Sequence, residues 1–160
     1  MKKQGFVPPT IKLYYLRGQQ LYELQLLEEA VNKDDKLLMP KCRKRAYNSC
    51  KKEIKNLKNH TIYSIFSLNL FSRYFWLIDQ QGKAIKLWKK AIDRAKDFGV
   101  ESPDLARTYM EIGRRLLEKK SKFKELNGIK AEEYLEKARE MFEKMDMQWD
   151  LDELERITAA

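Results

Sequence analysis

Residues 62–95 read IYSIFSLNLFSRYFWLIDQQGKAIKLWKKAIDRA, a run that divides into two helical halves. Its first half, Ile62 to Ile78, sets Ile65, Leu68, Phe71, Phe75 and Ile78 on one face of a helix, while Phe66, Leu70, Tyr74, Trp76 and Leu77 occupy the others. A helix apolar nearly all round needs cover on several sides. The second half, Lys83 to Lys96, sets Ala84, Trp88, Ala91 and Ala95 at helical spacing, with Ile85 and Ile92 beside them and Lys and Arg opposite, so it supplies one such cover. Gln80 to Gly82 makes the turn between them, and connections this short produce antiparallel neighbours.

Downstream, Phe98 and Gly99 end the hairpin, and Ser102, Pro103 and Asp104 open the next helix as cap, first residue and acid against the positive end of the dipole. Along it run Tyr109, Ile112, Gly113 and Leu116, and a partner helix over about 130–145 carries Ala131, Leu135 and Ala138. Lys119 to Gly128 is the longer connection between them. An Asp-x-x-Glu capping box at Asp150–Glu153 predicts a short last helix through Ile157, with Trp149 and Leu154 roofing the preceding pair and Asp152, Glu153 and Glu155 outward.

Upstream, residues 1–9 form a flexible lead whose Pro8 and Pro9 replace the apolar run of a signal peptide. Thr10 caps a helix to about Val31, with Ile11, Tyr14, Tyr15, Leu21, Leu24 and Leu27 inward. After a linker over 32–40, the helix over 41–58 turns Ala46, Cys50, Ile54 and Leu57 inward and is the most basic element. The reading is all-α, about seven helices, in a single domain over residues 10–160. With 36% charged and 43% hydrophobic residues, few Gly and Pro and no persuasive alternation, no sheet is expected.

Leu68, Phe71, Ser72, Phe75, Ala84, Trp88 and Ala91 stand at the offsets of a tetratricopeptide repeat, small residues where helix backbones approach and large ones between. The segment resembles that family, with repeats at 62–98 and 103–145 and a capping helix at 150–157. The resemblance implies an α-solenoid of antiparallel helix pairs. Gly113 to Ala131 is 18 positions where Ser72 to Ala84 is 12, so the repeats are longer and irregular. Gly18 stands where another repeat's small residue would fall, but Arg17 takes the place of a large apolar residue. The run Glu133–Met145 into Gln148–Leu151 is also similar to the C-terminal helical tails of large bacterial multidomain signalling regulators, which implies an interaction module that is excised or stands alone.

The usual signatures of catalysis are missing: there is no Gly-rich phosphate loop, His60 is the single histidine, and Glu132 and Glu133 read as dipole partners at a helix start. No catalysis, metal or cofactor is expected. Cys42 and Cys50 lie about 12 Å apart on one helix, too far to bond, and read as reduced, cytoplasmic thiols. The apolar run at 62–78 is shorter than the roughly 20 residues of a membrane span.

The family resemblance implies a groove lined by the first helices of each pair, and its offsets fall on Phe66, Asn69, Arg73, Trp76 and Leu77, then Arg107, Met110, Arg114 and Leu117. Three arginines there match an acidic or carboxylate-ended peptide, since guanidinium binds carboxylate through a fork. The competing reading makes Trp76 and Leu77 core and the arginines ordinary surface. Charge offers another partner: residues 1–60 carry 14 basic and 6 acidic side chains, a balance of +8 within a net +9, which suits a nucleic-acid backbone. A homodimer through uncovered Phe66, Trp76 or Tyr74 is a third reading.

Overall fold

The computed structural model describes residues 8–57, 63–99 and 101–159. The fold is all-α: the described residues form seven helices, packed in sequence-adjacent pairs, with one two-stranded ribbon of two residues a strand. Where length suggested one continuous unit, contacts gather into two, Met1–Asn59 and His60–Ala160, and each is described by itself. Most of the expected lead, together with Lys58 and His60, lies outside the described residues.

In the first unit α1 (Pro9–Asn32) packs on α2 (Met39–Asn56). Pro9 begins α1 directly after Pro8, so Thr10 is inside the helix and caps nothing. The chain reverses at Asp34, which takes a left-handed φ of 48°, and the Asp35 carboxylate accepts the N–H groups of Leu37 and Leu38 ahead of α2. Leu16, Leu24, Leu27 and Ala30 are buried on α1, as are Cys42, Ala46 and Cys50 on α2, whose small side chains suit close helix packing, and Leu57 just after it.

The rotation of α1 differs from expectation. Ile11, Tyr14, Tyr15 and Leu21 point away from α2, and Gln20, Glu23 and Glu28 are buried instead. Electrostatics supplies the reason: Glu23 accepts Arg45 Nη2 at 2.7 Å, and Arg17 Nε lies 3.6 Å from the fully buried Glu53. Counting apolar residues placed Leu24 and Leu27 inward as found but missed the burial of Glu23, which has a partner waiting on α2.

The second unit stacks α3 (Ser64–Leu77) with α4 (Gln81–Asp97), α5 (Pro103–Leu117) with α6 (Ala131–Lys144), and α7 (Gln148–Ala159) at the end. The turn between α3 and α4 comes at Asp79 and Gln80, with Asp79 left-handed at φ 58°, slightly before the expected Gln80–Gly82, so that Gly82 lies inside α4. Gly99 does turn left-handed after α4, and Ser102 Oγ accepts the Leu105 N–H at 3.2 Å, as a cap should.

Each new helix packs against both members of the pair before it: α5 touches α3 and α4, and α7 touches α5 and α6. A continuous core results, running from Trp76 on α3 through Ala84, Ile85, Trp88 and Ile92 to Ile112, Leu116 and Tyr134. Ser72, Ala84, Ala91 and Gly113 are all buried at the helix contacts. At Gly113 a Cβ would stand 2.6 Å from Leu135 Cγ and 2.9 Å from the Ala131 carbonyl, so no side chain fits without movement.

The connection from α5 to α6 holds a ribbon, β1 (Glu125–Leu126) paired antiparallel with β2 (Ile129–Lys130), turned by Asn127 and Gly128 at φ 55° and 73°. Two left-handed residues suit a tight hairpin, and Asn-Gly is its strongest local sign. Tyr134 Oη donates to the Leu126 carbonyl at 2.9 Å and fixes the ribbon to α6, burial holding its phenol well above the usual tyrosine range. Trp149 is exposed rather than roofing the stack, while Leu154 is fully buried.

Candidate functional site

The expected groove lies along α3 and α5, and its residues divide into three groups. Trp76, 1% exposed, is core, and its indole N–H donates to Glu118 Oε2 at 2.8 Å. Leu77 and Asn69 are buried as well, the Asn69 Oδ1 accepting the Trp88 indole N–H at 3.0 Å. An indole buried on α4 needs an acceptor, and Asn69 serves that need from α3. Trp76, Leu77 and Asn69 are therefore packing residues, and with Tyr74 also buried, Phe66 alone remains from the expected self-association patch.

The arginines form the second group. Arg107 grips the buried Asp150 of α7 with a two-pronged contact, Nε to Oδ1 at 2.7 Å and Nη2 to Oδ2 at 2.9 Å. Hydrogen bonding to Asp150 raises its pKa above the ordinary value. Asp150 is the third residue of α7, so its carboxylate holds Arg107 instead of forming the expected capping box. Arg73 Nε lies 3.9 Å from Glu111 Oε1 on α5. Arg115, overlooked as a site residue and only 2% exposed, binds the same Glu111 at 2.7 Å and Glu118 at 2.5 Å. Its spacing, four after one Glu and three before another, was a readable sign of helical pairing. Thus Glu111 on α5 engages Arg73, and Asp150 on α7 engages Arg107, both of them arginines proposed for a ligand.

Phe66, Met110 and Arg114, half-buried, and Leu117, 46% exposed, make the third group and are what this side offers to a partner. Met110 packs with Met141, Met145, Met147 and Leu151 around Phe142 and Ala138, a thioether-rich seam among α5, α6 and α7. Such side chains adapt readily to new shapes.

Separately, in the first unit, α2 presents Lys41, Arg43, Lys44, Lys51, Lys52 and Lys55 as exposed cations. Cys42 and Cys50 are both buried and unbonded to one another. Burial pushes the Cys50 thiol from its ordinary 9.0 to about 12. The raised value means that the stabilisation of the protonated thiol is fully present below pH 9 and is lost as pH rises from there toward about 12. Iodoacetamide at pH 8 should accordingly label Cys50 at least about 100-fold more slowly in the folded chain than in urea, because thiolate is the nucleophile. Equal rates would show that Cys50 is not enclosed.

Among the described residues, no group of three or more His, Cys, Asp and Glu is placed to hold a metal ion, and no helix is long and apolar enough to cross a membrane. Compared with known proteins, the chain matches no protein-family model, no curated protein and no solved structure.

Proposed function

We propose that residues 64–159 form a short, irregular stack of tetratricopeptide type that works as a non-catalytic protein-interaction module, of the kind built into larger bacterial signalling proteins. One observation carries the reading. The first helix of each new layer seats against both members of the preceding pair, α5 on α3 and α4 and α7 on α5 and α6, and polar links between successive layers recur at similar separations. Trp76 reaches Glu118 across 42 positions, Arg107 reaches Asp150 across 43, and Lys122 reaches Asp79 across 43. A period near that value is what a chain of stacked repeats produces.

In such a stack the surface along the first helices faces a ligand. Phe66, Met110, Arg114 and Leu117 supply apolar contacts and a cation, which suits a peptide joining an acid to large apolar side chains. Charge-assisted hydrogen bonds contribute about 1.5–3 kcal/mol, so Arg114→Glu combined with Phe66→Ala should weaken partner capture by roughly tenfold or more. The test uses the full chain as bait in a nuclease-treated lysate washed at high salt, with circular dichroism to verify that the variant folds. Bands retained undiminished by the folded variant would overturn this surface.

The exposed cations of α2 support a second reading, contact with nucleic-acid phosphates. That contact would show an affinity falling with salt at a slope of about −0.9 per phosphate neutralised on duplex DNA. Removal of the captured material by nuclease would favour it over the peptide reading.

A further inference from the structure

The face of α1 turned away from α2 carries Ile11, Tyr14, Tyr15, Leu21 and Tyr22, each between 41% and 68% exposed. Gly18 lies among them with no atom within 4 Å of where its Cβ would be. No charged residue stands on that face between Ile11 and Gln25, although the chain carries a net +9. The opposite face of α1 buries Gln20, Glu23 and Glu28 against α2. The unit thus hides much of its polarity and leaves its aromatic side in water, an arrangement whose apolar side is stabilised by further cover.

The order of these residues identifies the cover. Counted from Gly18, Tyr15 and Leu21 stand three positions to either side, Tyr14 and Tyr22 four, and Ile11 and Gln25 seven. The stripe therefore reads nearly alike in both directions. A two-fold axis perpendicular to a helix brings each residue opposite the one equally far on the other side of the axis. We propose that α1 pairs antiparallel with α1 of a second copy of this chain, the axis passing at Gly18. Tyr14 then packs beside the partner's Tyr22, Tyr15 beside the partner's Leu21, and the two Gly18 backbones meet at the crossing.

Size and chemistry agree with this occupant. An aromatic side chain carries roughly 150–250 Å², so the three tyrosines and two aliphatic residues at these exposures offer on the order of 600 Å² per copy, approaching the ~800 Å² of a standard interface. Tyrosine fits a contact that buries a ring while its hydroxyl remains in water. An acidic partner or a phosphate backbone finds no cation on this stripe, because Lys12 and Arg17 of α1 stand off it and most other cations of the unit lie on α2.

Sedimentation equilibrium of the full chain tests the proposal. Wild type should be dimeric at tens of micromolar, and Tyr15→Glu or Leu21→Glu, each placing a charge in the stripe, should weaken the dimer by about 30-fold or more, the scale of a hot-spot residue. Circular dichroism should remain unchanged, since both side chains project from α1. Gly18→Cys adds a geometric readout: a residue on the axis meets its own mate and oxidises to a disulfide dimer, whereas Tyr14→Cys and Tyr22→Cys cross-link only when mixed. A wild type that stays monomeric, whether its stripe is bare or covered by its own chain, overturns the proposal. So does a dimer indifferent to the Glu variants, or one in which Gly18→Cys fails to cross-link.

Discussion

Trp88→Ala should lower the unfolding free energy of the second unit by about 3–5 kcal/mol, the range for removing a large aromatic side chain from a closed core. Trp88 is fully buried, its ring centroid lies 5.5 Å from that of Trp76, and its indole N–H binds Asn69. The substitution therefore opens a cavity in the core that α3, α4 and α5 share, and it also strands the Asn69 amide oxygen. Trp88→Phe separates the two effects: most of the volume stays, and the orphaned acceptor costs about 1–3 kcal/mol. Urea unfolding, read as a change in midpoint at constant slope, measures both. A loss below 1 kcal/mol for the Ala variant would show that Trp88 is not the centre of that core.

Gly113→Val comes next in size. Ordinarily Gly in a helix interior is worth about 1 kcal/mol less than Ala, so replacing it should help. Here the first added carbon already meets Leu135 Cγ at 2.6 Å and the Ala131 carbonyl at 2.9 Å, and the second of these is backbone. Forcing α5 from α6 costs about 1–3 kcal/mol, which exceeds or cancels the propensity gain for Ala and clearly exceeds it for Val. The expected order of stability is Gly, then Ala, then Val, with the Val variant losing about 3 kcal/mol. Gly82, on α4 with open space around it, is the control, since Gly82→Ala should be neutral or slightly stabilising. An increase in stability for Gly113→Ala would mean that the two helices do not approach as closely as described.

These two residues also show why the second unit was readable from the chain. A buried Trp between small residues at four- and three-residue spacing, or a Gly among large apolar neighbours, has a local pattern that only close helix packing explains. The boundary at Ser102, Pro103 and Asp104 is equally local, because a cap acts within one turn. By contrast, the rotation of α1 depends on Glu23 meeting Arg45, 22 positions away, and apolar periodicity contains nothing of that pairing. The Arg107–Asp150 fork is the same kind of fact. It removes an arginine from the expected groove through a helix more than 40 positions downstream. Asn127-Gly128 was legible as a hairpin turn, but strands of two residues are too short to show alternation.

Adjacent pairing has a further consequence during synthesis on the ribosome. The residues from the start of α3 to the end of α4 number 34, so at about 5–20 residues per second they emerge in roughly 2–7 seconds. Helix hairpins close far faster than that, and this one is complete before α5 exists. Until α5 follows, Trp76 lacks Glu118, and Ile85 lacks the Ile112 and Leu116 of the same core. The nascent stack therefore carries an uncovered apolar layer at its growing end until the next helix docks on it.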